Sequence, residues 1–279
     1  MKIFISSDME GTAGVVDWDQ CRSTGADYGH YRGLLQAEVN AAIEGAAAGG
    51  ASEFLVNDSH GAMANLRPEA LAGRARYLSG RHKPLYMMQG LDASFDGVFL
   101  VSYHGSMAGP ASTLSHTYNP RAIAEVRLNG TPAGEAAINA LVALGHRVPV
   151  LLITGDDVTA GEIAPFCPGV RSAVVKTSVS RFAADSLHPE AARELIRERA
   201  HAAVRGLAEA GPAATALPTI ELPATLTVRF RNADLAEQAT WITGVVRTDE
   251  LTVRITDRDP IRLYRAFVTV VLLTRGIAE

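Results

Sequence analysis

The chain opens with Ile3-Phe4-Ile5-Ser6-Ser7-Asp8-Met9-Glu10-Gly11, and the rest of the fold is organised around this stretch. Its β-branched and aromatic residues predict a buried strand that ends in two carboxylates. Because residues two apart in a strand point to the same side, we expect Asp8 and Glu10 to project together from its carboxyl end. Two carboxylates held that close repel each other unless a shared proton or a bound cation offsets their charge. The rest of the sequence favours a cation.

The overall composition is that of a soluble globular protein. The 279 residues are 47% hydrophobic and 20% charged, which is enough for one large domain or two. A net charge of −4 gives no basic surface for nucleic acid or an anionic membrane. No run of about 18 apolar residues occurs, so we expect no membrane span. The two cysteines, Cys21 and Cys167, form no CxxC pattern and are expected to be free thiols in a reducing cytoplasm.

Strands alternate with helices over the first three quarters of the chain. Four more apolar strands are expected at 53–57, 97–102, 148–154 and 173–176, with helices at about 31–48, 135–144 and 189–207. A strand ending in Asn129-Gly130 predicts a β-hairpin. Helices that alternate with strands, where the strands are apolar on both faces, are typical of a three-layer α/β fold. In that fold a largely parallel sheet is flanked by helices.

The composition changes at Gly211-Pro212-Ala213-Ala214, which we interpret as a linker. Residues 1–211 are then an α/β metal-binding catalytic domain. Residues 216–279 are a smaller α+β portion, with strands near 225–230 and 251–255, a short helix from Ala233 and a final helix at 260–273. This portion has no cluster of potential ligands, so packing or oligomerisation is its expected role.

Several strands of the first portion end in potential metal ligands. In parallel sheets, ligands bind beyond the carboxyl ends of the strands. Asp8 and Glu10 follow the first strand, His60 the second and His104 the third. Each histidine alone could equally be a polar residue that ends a strand. Together the four supply two carboxylates and two imidazoles, the ligand set of zinc, cobalt or manganese.

Three further positions each have two interpretations. Glu135 is a candidate fifth ligand, although an acidic residue that favours the helix dipole explains its place at a helix start at least as well. His116, in a polar loop, is either a surface residue or a group that transfers protons or stabilises an oxyanion. Asp156 and Asp157 are expected to cap a helix, with orientation of the histidine ligands as the alternative.

Three common catalytic motifs are missing from the sequence. No GxGxxG follows the first strand and no GxxxxGK[ST] occurs, which argues against a nucleotide cofactor. No GxSxG elbow occurs either, so a serine hydrolase is poorly supported.

Six motifs, in this order, resemble the zinc-dependent D-aminopeptidase family. They are Ser7-Asp8-Met9-Glu10-Gly11, Val56-Asn57-Asp58-Ser59-His60, Tyr103-His104, Ser115-His116, Gly134-Glu135 with Asn139, and Gly155-Asp156-Asp157. Each motif alone is weak, but the ordered set is specific and covers most of the chain before the linker.

The resemblance implies two zinc ions per chain. Asp8 bridges them, with Glu10 and His60 on one side and His104 and Glu135 on the other. His116 matches the family's catalytic histidine, whose role as nucleophile or acid/base stays open. The resemblance also implies a homodecamer that encloses its active sites and hydrolyses short peptides or amides with an N-terminal D-amino acid, such as D-alanyl dipeptides, by a metal-activated water.

Two other functions are compatible with the same residues. One is an L-specific or broadly tolerant aminopeptidase or amidase, because the shape of the substrate pocket decides chirality. The other is a non-catalytic protein that binds metal or peptide, against which the open coordination expected of histidine and carboxylate ligands argues.

Overall fold

A computed structural model describes residues 1–211 and 214–278 of the chain. Its strands, in chain order, are β1 (Lys2–Ser7), β2 (Glu53–Asp58), β3 (Arg76–Leu78), β4 (Gly97–Tyr103), β5 (Ile123–Leu128), β6 (Thr131–Pro132), β7 (Val150–Asp156), β8 (Arg171–Ser180), β9 (Ala183–Ser186), β10 (Ala224–Phe230), β11 (Val245–Arg247) and β12 (Thr252–Asp257). Its α-helices are α1 (Trp18–Cys21), α2 (Tyr28–Ala48), α3 (Glu135–His146), α4 (Asp157–Ile163), α5 (Pro189–Ala210), α6 (Ala233–Ala239) and α7 (Pro260–Arg275).

The larger sheet has β1 near its centre, in the order β3-β2-β1-β4-β7-β8-β9. All its neighbouring strands are parallel except β8 and β9, which form an antiparallel pair. Ser7 lies opposite Asp58 of β2 on one side and Val101 of β4 on the other, so these three strands end at one edge. Because the chain moves outward from β1 to β2 and then returns to β4, the β1/β4 boundary is a topological switch point, where such sheets bind ligands.

Alternate residues of β1 enter two different hydrophobic cores. Ile3 and Ile5 pack with α2 and α5 on one face of the sheet. Phe4 belongs to the core on the other face, which includes α3 and α7. Both faces are therefore covered, which explains why the strands are continuously apolar. The predicted three-layer α/β fold is confirmed.

A smaller antiparallel sheet has the order β11-β12-β10-β5-β6. It combines the predicted hairpin, which turns at Asn129-Gly130, with strands from the C-terminal portion. Val228 of β10 pairs with Val126 of β5, so a domain boundary at 211 would cut through this sheet. Whether the two portions are separate domains stays a prediction. Residues 212–213 of the expected linker lie outside the described residues.

Of the strands and helices given above, α1, β9 and β11 were not predicted. The polar stretch after β1 contains α1, where Asp17 and Gln20 form a capping box. Asp156 caps α4 by accepting from the Thr159 N–H, as the capping interpretation predicted. Strand β9 is short and lies at the sheet edge, and its polar residues gave no hydrophobic pattern. Within the described ranges, no helix has both the length and the apolar character needed to cross a membrane.

Candidate metal centre

The six candidate site residues come together at the switch-point edge of the larger sheet. They are Asp8 and Glu10 after β1, His60 after β2, His104 after β4, His116 in the loop that follows, and Glu135 at the start of α3. All except His104 line one cleft of about 710 Å³. The backbone explains part of this placement, because a Cβ added at Gly11 would lie 2.0 Å from the Tyr103 carbonyl oxygen. Only glycine lets the ligand-bearing turn approach β4 so closely.

Asp8 stands between two histidines. Its Oδ1 lies 3.4 Å from His60 Nδ1, and its Oδ2 lies 3.4 Å from His104 Nε2. Glu10 Oε2 is 2.8 Å from His60 Nδ1, and Glu135 Oε1 is 3.9 Å from His104 Nε2. Two groups of potential ligands result, and both contain Asp8.

His116 lies beside the same carboxylates. Its Nε2 is 3.6 Å from Glu135 Oε1 and 3.9 Å from Glu10 Oε1. Its ring stacks on that of His104 with centroids 4.2 Å apart, and Trp18 packs edge-on against it at 5.4 Å. Burial, together with the charge of His104, lowers the pKa of His116 to about 4. A third group of potential ligands consists of Glu10, His104 and His116.

Main-chain carbonyls orient all three histidine rings. One ring nitrogen of each lies within hydrogen-bonding distance of a carbonyl oxygen: 2.9 Å from Cys21 for His60, 3.0 Å from Gly105 for His104 and 2.9 Å from Leu114 for His116. A carbonyl only accepts, so that nitrogen carries the proton and the other presents a lone pair when the ring is neutral. The lone pairs face the carboxylates, an arrangement that a cation between them stabilises.

Two facing atoms in the centre have no hydrogen-bond partner among the described residues. They are Asp8 Oδ2 and His104 Nε2, and both are buried. Buried polar groups without partners are rare in native proteins, and an ion that is not part of the structure is one explanation. The nitrogen and carboxylate donors match those of zinc sites. The residues present therefore fit zinc.

The carboxylates of the centre influence one another strongly. Burial and the charge of Glu10 raise the pKa of Asp8 to about 6. Burial and the charge of Asp8 raise the pKa of Glu135 well above its usual value. Burial acts in the same direction on Glu10, but the charge and hydrogen bond of His60 outweigh it and hold the pKa of Glu10 well below normal. The cluster therefore needs positive charge to ionise fully.

Two residues that were not predicted as part of the site contact candidate ligands. The Tyr118 N–H donates to Glu135 Oε1 at 2.6 Å. The ammonium of Lys176 is buried and donates to the carbonyl oxygens of Glu10, Thr12 and Val15. The available signal for Lys176 was a charged residue directly after the apolar run Ala173-Val174-Val175. No side-chain pattern reveals Tyr118, because its contact with Glu135 uses the main chain.

Comparison with known proteins places the chain in a family. The sequence model of the M55 peptidases, described as D-aminopeptidase, matches residues 1–269. The chain belongs to the M55 peptidase family. The resemblance found in the sequence motifs is thereby confirmed, and the family is one of hydrolases.

Two relatives from Bacillus subtilis show how far the similarity extends. The chain is 35% identical over 272 residues to the D-aminopeptidase of strain 168, covering 96% of each protein. It also matches the solved structure of the Zn-dependent D-aminopeptidase DppA, described as a self-compartmentalizing protease. That match has a TM-score of 0.92, 32% identity and complete coverage of both chains. This M55 chain therefore has the whole fold of its relative, including the smaller sheet.

Proposed function

We propose that this chain is an aminopeptidase with two zinc ions, which hydrolyses short peptides or amides that carry an N-terminal D-amino acid. The observation that supports two ions is the position of Asp8, whose two oxygens face histidines of different ligand groups. Zinc and the D-configuration are supported by the names of the similar proteins, since both are called D-aminopeptidase and DppA is also called Zn-dependent.

Five side chains are proposed to hold the ions. Asp8 would contribute to both sites, Glu10 and His60 would complete one, and His104 and Glu135 would complete the other. The three carboxylates supply most of the negative charge that two divalent cations require. When bound, the ions would act as Lewis acids on the scissile carbonyl and lower the pKa of the attacking water.

His116 is proposed as the catalytic residue that moves the proton. Its Nδ1 donates to the Leu114 carbonyl, so its Nε2 is left to accept a proton inside the cleft. After attack, the proton held on Nε2 can pass to the nitrogen of the leaving amine. Trp18 packs against the ring and limits its rotation, which keeps Nε2 directed at the reacting atoms.

The assembly and location are proposed on the family resemblance. We propose a homodecamer, in which residues 216–279 serve packing or oligomerisation and residues 1–211 carry the catalysis. The description of DppA as self-compartmentalizing supports a closed assembly. Cys21 and Cys167 are both buried and free, which supports a cytoplasmic location.

The decisive test compares D-Ala and L-Ala p-nitroanilide as substrates of the purified protein. We expect release from the D-substrate alone, loss of that release with chelator and its return with zinc. Release from the L-substrate alone would contradict the stereospecificity, and release unaffected by chelator would contradict the metal mechanism. Stoichiometric peptide binding without any product, in the presence of zinc, would favour the non-catalytic alternative.

A further inference from the structure

We propose that arginines at the mouth of the cleft bind the free C-terminal carboxylate of the substrate. The chain would then prefer short peptides with a free acid end over their C-terminal amides. This inference rests on the proposed function, because it requires the N-terminal end of the peptide to lie at the metal centre. Four arginines line the same cleft as the metal centre: Arg22, Arg81, Arg121 and Arg275.

None of these four arginines has a carboxylate partner within residues 1–211 and 214–278. Their side chains are exposed, and no hydrogen bond or ion pair from their guanidinium groups to a described residue is formed. Some arginines elsewhere on the surface are paired, as Arg197 is with Glu44, and others such as Arg254 have no partner in the described part of the chain, so the position of these four in the cleft is what distinguishes them. The cleft therefore presents guanidinium groups whose donors are available to a ligand.

Trp18 links one of these arginines to the candidate site. The guanidinium of Arg22 lies over the Trp18 ring, 5.7 Å from its centroid, and the Trp18 ring packs edge-on against His116 at 5.4 Å. Arg81 and Arg275 line the same cleft together with Tyr86.

Tyr86 is connected to the metal centre through Tyr118. Its ring stacks on that of Tyr118 with centroids 5.7 Å apart, and the Tyr118 N–H holds Glu135. Trp18 thus lies in contact with both Arg22 and His116, and Tyr86 and Tyr118 lead from the cleft lining to Glu135. A short peptide whose first residue lies at the ligands would extend along these rings toward the guanidinium groups.

The charge distribution of the cleft favours an anion at its mouth. Among the described residues, the carboxylates that line the cleft are Asp8, Glu10 and Glu135, and all three lie at the metal centre. The mouth contributes arginines without nearby acids, although the chain as a whole carries a net charge of −4. The electrostatic potential near these arginines is therefore positive, opposite in sign to the net charge of the chain, and attracts a carboxylate into the cleft.

Arginine is also the side chain best suited to this ligand. Its planar guanidinium donates two parallel hydrogen bonds to one carboxylate, and stacking on an aromatic ring leaves its edge donors available. A peptide amide has no negative charge and cannot accept this bidentate pair. The same arginines would restrict substrate length, because a longer peptide places its carboxylate beyond them.

The first test needs no mutation. We would measure kcat/KM of the zinc-loaded protein for D-Ala-D-Ala and for D-Ala-D-Ala amide. A charge-assisted hydrogen bond to carboxylate predicts a preference for the free acid of about tenfold or more. Equal values for acid and amide, with D-Ala p-nitroanilide still cleaved, would overturn the inference and leave the proposed function intact. Absence of any hydrolysis would overturn both.

The second test assigns the preference to the arginines. We expect Arg81→Gln, Arg275→Gln and Arg22→Gln each to lower the ratio of acid to amide kcat/KM, and the Arg81/Arg275 double variant to bring it near one. Arg254→Gln is the matched control, because Arg254 is an exposed arginine on β12 away from the cleft. The control should retain the wild-type ratio.

A competing role for these arginines is contact between subunits. The mass of each variant in solution, measured by light scattering, distinguishes the two. Ratios that stay at the wild-type value in all the cleft variants would overturn the inference, whether or not the assembly dissociates. A ratio that falls in variants of unchanged mass would support it.

Discussion

At the residue scale, the three site histidines share one arrangement. In His60, His104 and His116, one ring nitrogen is held by a main-chain carbonyl while the other faces carboxylates. The difference lies in what each free nitrogen meets. Those of His60 and His104 each face Asp8 at 3.4 Å, whereas that of His116 faces Glu135 and Glu10 at 3.6 and 3.9 Å and forms no ion pair with Asp8 among the described residues. This difference separates the proposed ligands from the proposed catalytic residue.

Replacing His116 tests that separation. We expect His116→Ala to lower kcat by about 10²–10⁴, the usual contribution of a proton-transfer residue, while the five proposed ligands still hold zinc. The measurement is activity on D-Ala p-nitroanilide together with metal content. Loss of zinc from the variant would contradict the assignment and make His116 a ligand.

Four proposed ligands could be selected from residue type and position alone. Asp8, Glu10, His60 and His104 follow predicted strands, and parallel strands that end at one edge bring such residues together. Glu135 could not be selected in this way, because an acidic residue at a helix start has a dipole explanation. Only the family resemblance separated the two interpretations, and the structure places Glu135 beside His104.

At the element scale, Lys176 connects β8 to the turn after β1. Lys176→Met would leave the buried carbonyls of Glu10 and Val15 without their donor, whereas the Thr12 carbonyl would still accept from the Val15 N–H. Because an unsatisfied buried acceptor costs about 1–3 kcal/mol, we expect a loss of roughly 2–4 kcal/mol in the free energy of unfolding. Zinc affinity should fall as well, since the same turn carries Asp8 and Glu10.

Lys2 provides the control for this substitution. Its ammonium donates to Ser94 near the surface, so Lys2→Met should change the free energy of unfolding by no more than about 1 kcal/mol. Denaturant unfolding and a zinc titration of both variants make the comparison. Equal effects of the two substitutions would contradict a special role for Lys176.

Helix α2 contributes a buried acid that makes stability depend on pH. Glu38 accepts from the Ala13 N–H and from the Ser102 hydroxyl, each at 2.8 Å, and burial raises its pKa to about 7. Between its unfolded value of 4.5 and about 7, the native state keeps a proton that the unfolded state has released. Stability from this group is therefore present at low pH and is lost as pH rises through 7.

Glu38→Gln should remove that dependence. A glutamine keeps an acceptor for the Ala13 N–H and never ionises. We expect its stability relative to wild type to increase by on the order of 2–3 kcal/mol between pH 5 and pH 8. Denaturant unfolding at both pH values measures the difference, and the shared pH dependence of the metal ligands cancels in it. A difference that does not change with pH would show that Glu38 is ionised throughout.

The main elements were predictable because their apolar patterns are long. Apolar residues run continuously along the buried strands β1, β2, β4 and β7. In helices α2 and α5 they recur every three to four residues. Helix α1 was missed because it consists of four residues inside a polar loop. Its position matters for function, since Trp18 contacts His116 and the Cys21 carbonyl orients His60.

At the scale of the whole molecule, the smaller sheet joins parts of the chain that lie far apart in sequence. Sequence patterns predicted the β5–β6 hairpin and the C-terminal strands separately, but pairing between strands a hundred residues apart leaves no local pattern. Tyr264 of α7 adds a second connection, because its hydroxyl meets that of Tyr118 beside the metal centre.

Truncation of the chain tests this connection. A fragment of residues 1–211 would expose Ile123, Val126 and Leu128, which are buried in the full chain. We expect the fragment to lose cooperative thermal unfolding, because the partner strand β10 is absent. Circular dichroism during heating measures the transition. A fragment that unfolds as cooperatively as the full chain would show that residues 1–211 are an independent domain.

A two-zinc centre built around Asp8 makes activity depend on the number of ions bound. Metal-free protein would be titrated with zinc while bound metal per chain and D-Ala p-nitroanilide hydrolysis are followed together. We predict saturation at two ions per chain, with full activity reached only at the second. Saturation at one ion with full activity, or activity in the metal-free protein, would rule out the two-zinc centre.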